Sequence, residues 1–67
     1  MKRLEFKIKY DEEFQDYYFT PFKDREYYVW ISDIFESNVG LIAITDDHGE
    51  ISVEKIDWKN NKVIILV

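Results

Sequence analysis

The chain has 67 residues, no cysteine and a net charge of −5, and twelve of its side chains are Phe, Tyr or Trp. This length predicts a single domain, and the lack of cysteine excludes disulfides, zinc–thiolate sites and thiol nucleophiles. The negative charge disfavours direct binding to nucleic-acid phosphates or to an anionic membrane surface, and it favours a basic partner.

The sequence also indicates how so short a chain can be stable and in which cellular compartment we expect it. A chain of this size buries only about 60% of its unfolded surface. Its aromatic side chains each bury a large area and can form a core without a disulfide or a structural metal. The longest apolar run is five residues, Val63 to Val67, so neither a membrane span nor a signal peptide is expected. We expect a cytoplasmic protein. Lysine outnumbers arginine seven to two, which is typical of a low-GC bacterium or its phage.

The first predicted element is a strand from Arg3 to Tyr10. Apolar or aromatic residues alternate strictly with charged ones over this stretch. A period of two is typical of a half-buried strand.

Residues 11–26 allow two interpretations. Four acids within six positions are followed by Phe14, Tyr17 and Tyr18 at helical spacing, with Asp11 as a potential N-cap, and Thr20-Pro21 would end such a helix. The segment is either one or two helical turns or a long irregular hairpin arm. Its many aromatics and few strong helix formers favour the arm.

Three short elements are predicted next. Tyr27 to Ile31 is rich in strand-forming residues. Ser32 to Asn38 either continues this strand or forms one helical turn, and Asn38-Val39-Gly40 is a break. Leu41 to Thr45 is apolar on both faces, which predicts a central strand.

The last third contains two hairpins. Asp46 to Gly49 predicts a type I turn with Gly49 in a left-handed bulge position. Glu50 to Glu54 is a strand whose alternation changes phase near Lys55, which indicates a bulge or bend. A turn at Asn60-Asn61 then leads to the strand Lys62 to Val67. This strand is apolar after Lys62 and should be covered on both sides.

The order of elements predicts a mostly β, five-stranded meander curled into a small barrel, with the long 11–26 loop between strands 1 and 2. It resembles an SH3-like barrel, in which that loop and the 46–49 hairpin would be the long first loop and the distal hairpin. Tyr10-Asp11 is similar to the start of the peptide-binding motif of signalling SH3 domains. The tryptophan pair and the Pro-x-x-Tyr of those domains are absent, so recognition of proline-rich peptides is not implied.

The strand phases predict a core of thirteen apolar residues. They are Leu4, Phe6, Ile8, Val29, Ile31, Leu41, Ile42, Ile44, Ile51, Val53, Ile56, Val63 and Ile65.

No residue pattern indicates catalysis, a metal or a cofactor. The single histidine, His48, lies in the predicted turn at residues 46–49. The geometry of that turn accounts for the residue types around His48, so they do not indicate a metal site. The serines lack a nucleophile-elbow pattern, and two glycines cannot form a phosphate loop. We therefore expect a protein that is not an enzyme.

The best functional lead is the aromatic and acidic composition of the arm. Tyr and Trp are favoured interface anchors, and a small core cannot easily bury seven aromatics within 14 positions. The alternative is that they pack the arm onto the barrel. The predicted partner-binding residues are Asp11, Glu12, Glu13, Asp16, Tyr17, Tyr18, Phe19 and Phe22.

Two functions from different classes follow from this lead. The first is an intracellular protein-binding module, and in its sharper form a phage-type inhibitor that docks on a basic, nucleic-acid-handling host protein. The second is a nucleic-acid accessory barrel whose aromatics stack on bases, although the acids and the lack of a basic groove oppose it. Self-association stays open.

Overall fold

The computed structural model describes residues 2–22, 27–45 and 49–67. Strands make up most of these residues, and they contain no α-helix, which confirms the mostly β prediction. The strands are β1 Arg3–Lys7, β2 Lys9–Asp11, β3 Asp16–Phe19, β4 Val29–Trp30, β5 Ile34–Ser37, β6 Gly40–Thr45, β7 Gly49–Asp57 and β8 Lys62–Leu66.

The prediction of a five-stranded barrel is wrong. Within the described residues, eight strands form two antiparallel sheets, one of five strands in the order β1-β8-β7-β6-β5 and one of three strands in the order β2-β3-β4, and these strands form no closed barrel. The extra strands arise because two long extended segments bend and join both sheets. β1 passes into β2 at Ile8, and β4 passes into β5 through a 3₁₀ turn at Ile31–Asp33. The edge strands of one sheet thus continue directly into those of the other.

The segment after β1 is a hairpin, so of the two interpretations for residues 11–26 the helical one is wrong. β2 pairs with β3, and Asp11 lies opposite Asp16 across a four-residue turn. β3 also pairs with β4, so this segment contributes a strand to the second sheet where a long loop was predicted. Residues 23–26 lie outside the described part of the chain.

The core lies between the two sheets. Of the predicted set, seven residues are buried: Ile8, Val29, Ile42, Ile51, Val53, Val63 and Ile65. Phe6, Ile31, Leu41 and Ile56 pack against the core with partial exposure. Three further residues are buried that the prediction omitted: Phe19, Ala43 and Ile64.

Two predicted core residues are exposed, Leu4 at 40% and Ile44 at 64%. Leu4 lies on an edge strand, where only β8 flanks it. Ile44 faces away from the core and pairs with Glu50 of β7, and the pairing of β5 with β6 ends before it, at Ala43. Ile42 pairs with Phe35 on one side and Ser52 on the other and is 5% exposed.

The predicted change of phase near Lys55 is confirmed as a shift in register. Val53 pairs with Ile65 and Lys55 with Ile64, so Glu54 is the extra residue of a bulge. The Glu54 carboxylate accepts a hydrogen bond of 2.8 Å from Arg3 Nε at the far edge of the sheet. Ile64 faces outward between Glu5 and Lys55, and long charged side chains at such positions cover apolar surface with their methylene groups. The sequence analysis predicted that β8 would be covered on both sides. At Ile64 the side chains of neighbouring strands provide this cover on the outer face.

Two hairpins use the same turn chemistry. Each four-residue turn follows an aspartate, Asp11 or Asp57, whose carboxylate accepts hydrogen bonds from backbone N–H groups of the turn. Each also ends on a residue with positive φ, Gln15 at 51° and Asn61 at 54°. Asparagine tolerates this conformation well, and its presence made the second turn predictable from sequence.

The left-handed conformation predicted for Gly49 is confirmed, with φ at 71°. Thr45 Oγ1 donates to the Gly49 carbonyl at 2.9 Å across the hairpin. The preceding turn residues, Asp46 to His48, lie outside the described residues.

Replacing Gly49 by Val should destabilise the fold by about 1–2 kcal/mol or more, because a β-branched residue is strained at this φ. Apart from its chain neighbours, no described residue has an atom within 4 Å of where a Cβ would stand, so the expected penalty comes from the backbone conformation. Gly49→Asn is the matched control and should cost less, since asparagine visits the left-handed region. Thermal denaturation of the two variants checks this, and equal melting temperatures would contradict it.

Candidate functional site

The outer face of the three-stranded sheet carries a group of aromatic side chains. Phe19 and Val29 pair across β3 and β4 and point into the core. Their neighbours Tyr18 and Trp30 also pair, and because side chains alternate along a strand, they point outward. Tyr28 lies on the same side two positions before Trp30. Phe14, from the β2–β3 turn, contacts Trp30.

These four rings, Phe14, Tyr18, Tyr28 and Trp30, are called here the aromatic platform. Tyr18 and Tyr28 stack in parallel, with ring centroids 4.0 Å apart and planes inclined by 3°. Trp30 lies 5.6 Å from Tyr18 and 5.7 Å from Tyr28, and Phe14 meets it edge-on at 5.4 Å. Each ring therefore restricts the others, although Phe14 remains 66% exposed and Tyr28 36%.

The acidic residues of the arm differ in what they do. Asp11 Oδ1 accepts hydrogen bonds from the backbone N–H groups of Glu13 at 2.8 Å and Phe14 at 3.1 Å. Asp16 Oδ2 accepts a hydrogen bond of 2.6 Å from Ser32 Oγ, which ties the hairpin to the 3₁₀ turn. Both carboxylates hold local structure. Glu12 and Glu13 are exposed in the turn, and neither forms an ion pair with a described residue.

Asp11→Ala should therefore lower the free energy of unfolding by about 1–2 kcal/mol, because two backbone donors lose a charged acceptor. For a domain of this size, each kilocalorie corresponds to a fall of about 4–8 °C in melting temperature. Glu12→Gln in the same turn is the control and should melt like the wild type. A normal melting temperature for Asp11→Ala would show that the carboxylate does not hold the turn.

The structure separates the predicted partner-binding residues. Tyr18 lies on the platform, with Asp11, Glu12, Glu13 and Asp16 around the adjoining turn. Tyr17 faces the other side of the hairpin. Phe19 is fully buried, and Phe22 packs against the core while remaining partly exposed.

Tyr17 belongs to a second, smaller aromatic group. Its ring lies 4.9 Å from that of Tyr10 and 5.1 Å from that of Trp58 in the β7–β8 turn. All three side chains are between 43% and 49% exposed. This group packs the β2–β3 hairpin against the other sheet, and it offers an exposed tryptophan away from the platform.

Three platform residues were missing from the predicted site: Phe14, Tyr28 and Trp30. The sequence contained a pattern that could have identified Tyr28 and Trp30. They flank the core residue Val29 in a predicted strand, so alternation places both on the opposite, outer face. Phe14 could not be assigned, because the turn that folds it over Trp30 was not predicted.

Four charged groups on the five-stranded sheet form two ion pairs. Lys62 Nζ lies 2.7 Å from Glu5 Oε1, and this contact lowers the pKa of Glu5 and raises the pKa of Lys62. A hydrogen bond from the Asn60 side chain lowers the pKa of Asp57. With Arg3 paired to Glu54, four charges of this sheet compensate each other, in contrast to Glu12 and Glu13.

Within residues 2–22, 27–45 and 49–67, no three acidic or histidine side chains are placed to hold a metal ion. These same residues contain no helix of the length and apolar character needed to cross a membrane. His48 lies outside the described residues.

The fold and the site together define a small two-sheet β protein with an exposed aromatic face beside uncompensated acids. No family model matches the chain, and no curated protein or solved structure does so either.

Proposed function

We propose that this protein is a non-enzymatic binding module that contacts a basic protein through the aromatic platform. The observation that carries the proposal is a set of four packed rings on one face of the three-stranded sheet, of which Phe14 is 66% and Tyr28 36% exposed. Aromatic anchors of this kind supply most of the binding energy in protein interfaces.

The packing of the rings supports this role. Each immobilised side chain at an interface costs about 0.5–1.5 kcal/mol of conformational entropy. The rings of Tyr18 and Tyr28 are already stacked, and Trp30 is held between them and Phe14. Much of that cost is therefore met in the free protein, so the platform is organised before a partner arrives.

The charge distribution supports a basic partner. Glu12 and Glu13 extend from the turn that also carries Phe14, and the chain has a net charge of −5. Uncompensated acids beside an apolar contact surface steer the encounter with a positively charged protein. In its sharper form, the proposal is that the protein competes with nucleic acid for a basic surface on a nucleic-acid-handling host protein, as small phage-encoded inhibitors do.

The experiment is affinity capture from a bacterial lysate with wild-type protein, Phe14→Ala, Trp30→Ala and Trp58→Ala. We expect a bound protein that Phe14→Ala and Trp30→Ala lose and Trp58→Ala retains. Trp58→Ala removes the same kind of side chain from the other aromatic group, so it is the matched control. Melting temperatures of all variants separate loss of contact from loss of fold. Equal capture by all four proteins would overturn the proposal.

Binding kinetics with the captured protein then test the two parts of the surface separately. Glu12→Gln with Glu13→Gln should slow association and flatten its dependence on salt. Trp30→Ala should mainly raise the dissociation rate, by about tenfold or more if it is a hot spot of 2 kcal/mol.

The competing function is stacking on single-stranded nucleic acid, which the exposed rings would suit. Titration with an oligothymidylate, followed by tryptophan fluorescence, tests it. We expect no binding at physiological salt because the adjoining carboxylates repel phosphate. Saturable quenching that Trp30→Ala abolishes and that weakens steeply with salt would favour that function instead.

A further inference from the structure

A groove of 410 Å³ adjoins the platform where the chain passes from one sheet to the other. Its lining includes Tyr28, Trp30, Phe35 and Ile44, together with Asp33 from the 3₁₀ turn. The bend at the 3₁₀ turn creates this arrangement. It sends Ile31 and Ile34 toward the core and leaves Trp30, Asp33 and Phe35 on the outside.

The groove combines four aromatic side chains, those of Tyr27, Tyr28, Trp30 and Phe35, with one carboxylate. Asp33 is exposed and forms no ion pair with any described residue. Aromatic faces attract cations, with tryptophan the strongest, and a carboxylate adds a charged hydrogen-bond acceptor. A neutral apolar ligand would leave the Asp33 charge without compensation. An anion would be repelled, both by this carboxylate and by the net charge of −5.

Among cationic side chains, a guanidinium fits these groups better than an ammonium. It is planar, more weakly hydrated, and able to stack on an aromatic ring while it donates two hydrogen bonds to a carboxylate. The compact ammonium of lysine is strongly hydrated and has no planar face to stack on a ring.

We propose that this groove binds an arginine side chain of the protein partner, stacked against Trp30 and hydrogen-bonded to Asp33. The inference rests on the proposed function, since it names the chemical group that a basic partner presents beside the platform. It also accounts for Phe35 and Ile44, two exposed apolar side chains that the platform itself does not use.

The test uses three short peptides, acetyl-Gly-Arg-Gly-amide and its lysine and citrulline counterparts, titrated into the full chain. Backbone and indole N–H resonances are followed by heteronuclear NMR. The chain has two tryptophans, so the indole signal of Trp58 is an internal control for that of Trp30. We expect the arginine peptide to shift the Trp30 indole and the Asp33 amide, with the Trp58 indole unmoved. The lysine peptide should bind more weakly, and the citrulline peptide, which keeps the shape without the charge, should have no effect.

The variants Asp33→Asn and Trp30→Ala identify the two contacts. Asp33→Asn should weaken binding of the arginine peptide by about two- to fivefold, as expected for an exposed ion pair. Trp30→Ala should abolish the shift of the Asp33 amide, while Trp58→Ala leaves both binding and shifts unchanged. Equal shifts with arginine and citrulline, or unchanged affinity in Asp33→Asn, would overturn the inference.

The inference and the proposed function fail in distinguishable ways. If capture from lysate depends on Phe14 and Trp30 but no peptide shifts the Trp30 indole, the platform binds a partner and the groove is not an arginine site. If the arginine peptide binds as expected but no captured protein depends on the platform, the groove chemistry holds and the proposed function is wrong.

Discussion

Replacing Phe19 by Ala should unfold most of the protein at 37 °C. The ring of Phe19 is completely buried, and it packs 6.1 Å from that of Phe6 in the other sheet. Removing a buried phenylalanine costs about 3–5 kcal/mol, and the single core of a chain this short rarely supplies more than about 3–5 kcal/mol of stability in total. Phe19 joins the two sheets, so its loss should affect both.

Urea denaturation followed by far-UV circular dichroism measures the effect. Phe14→Ala is the control, because Phe14 is an aromatic residue of the same hairpin that is 66% exposed. We expect its midpoint to lie close to that of the wild type, whereas Phe19→Ala should show little native signal even without urea. Similar midpoints for the two variants would mean that the sheets are not packed together through Phe19.

Ile65→Ala and Ile44→Ala should differ strongly in stability, although both remove an isoleucine from a strand. Ile65 is 4% exposed in β8 and pairs with Val53 on one side and Leu4 on the other. Its truncation should cost about 2–5 kcal/mol. Ile44 is 64% exposed, so its truncation should cost less than about 1 kcal/mol, which is the whole range of strand propensities.

The same denaturation measurement checks this pair. Sequence alone placed both residues in the core, so equal and large losses would support the sequence interpretation and contradict the structure. The Ile44 variant has a second use. Because Ile44 lines the proposed arginine groove, Ile44→Ala changes the groove wall in a protein that should stay folded.

The β2–β3 hairpin shows why its function was hard to assign from sequence. Tyr17, Tyr18 and Phe19 are consecutive and chemically similar, yet they have three different surroundings. Tyr18 lies on the platform, Phe19 is in the core, and Tyr17 contacts Tyr10 and Trp58 at the edge. A strand sends neighbouring side chains to opposite faces, and which face is buried depends on where the second sheet lies.

Sequence by itself determined the features that depend on local patterns. Strict alternation predicted β1, and the phase change near Lys55 predicted the bulge. Gly49 and Asn61 predicted two turns, because glycine and asparagine are favoured at positive φ. The order of the predicted strands and turns determined the mostly β class, and the aromatic and acidic arm indicated where to look for a site.

Tertiary structure alone decided the rest. Segments apolar on both faces, such as Leu41 to Thr45, have no alternation from which to choose a face, so Ile44 was assigned to the core and Ala43 was not. The bends at Ile8 and at Ile31–Asp33 split two extended segments between two sheets, because long-range pairing partners decide where an extended chain changes sheets. Those bends bring Trp30, Asp33 and Phe35 around one groove. A local sequence pattern could not predict this groove, because it forms only where the two sheets are joined.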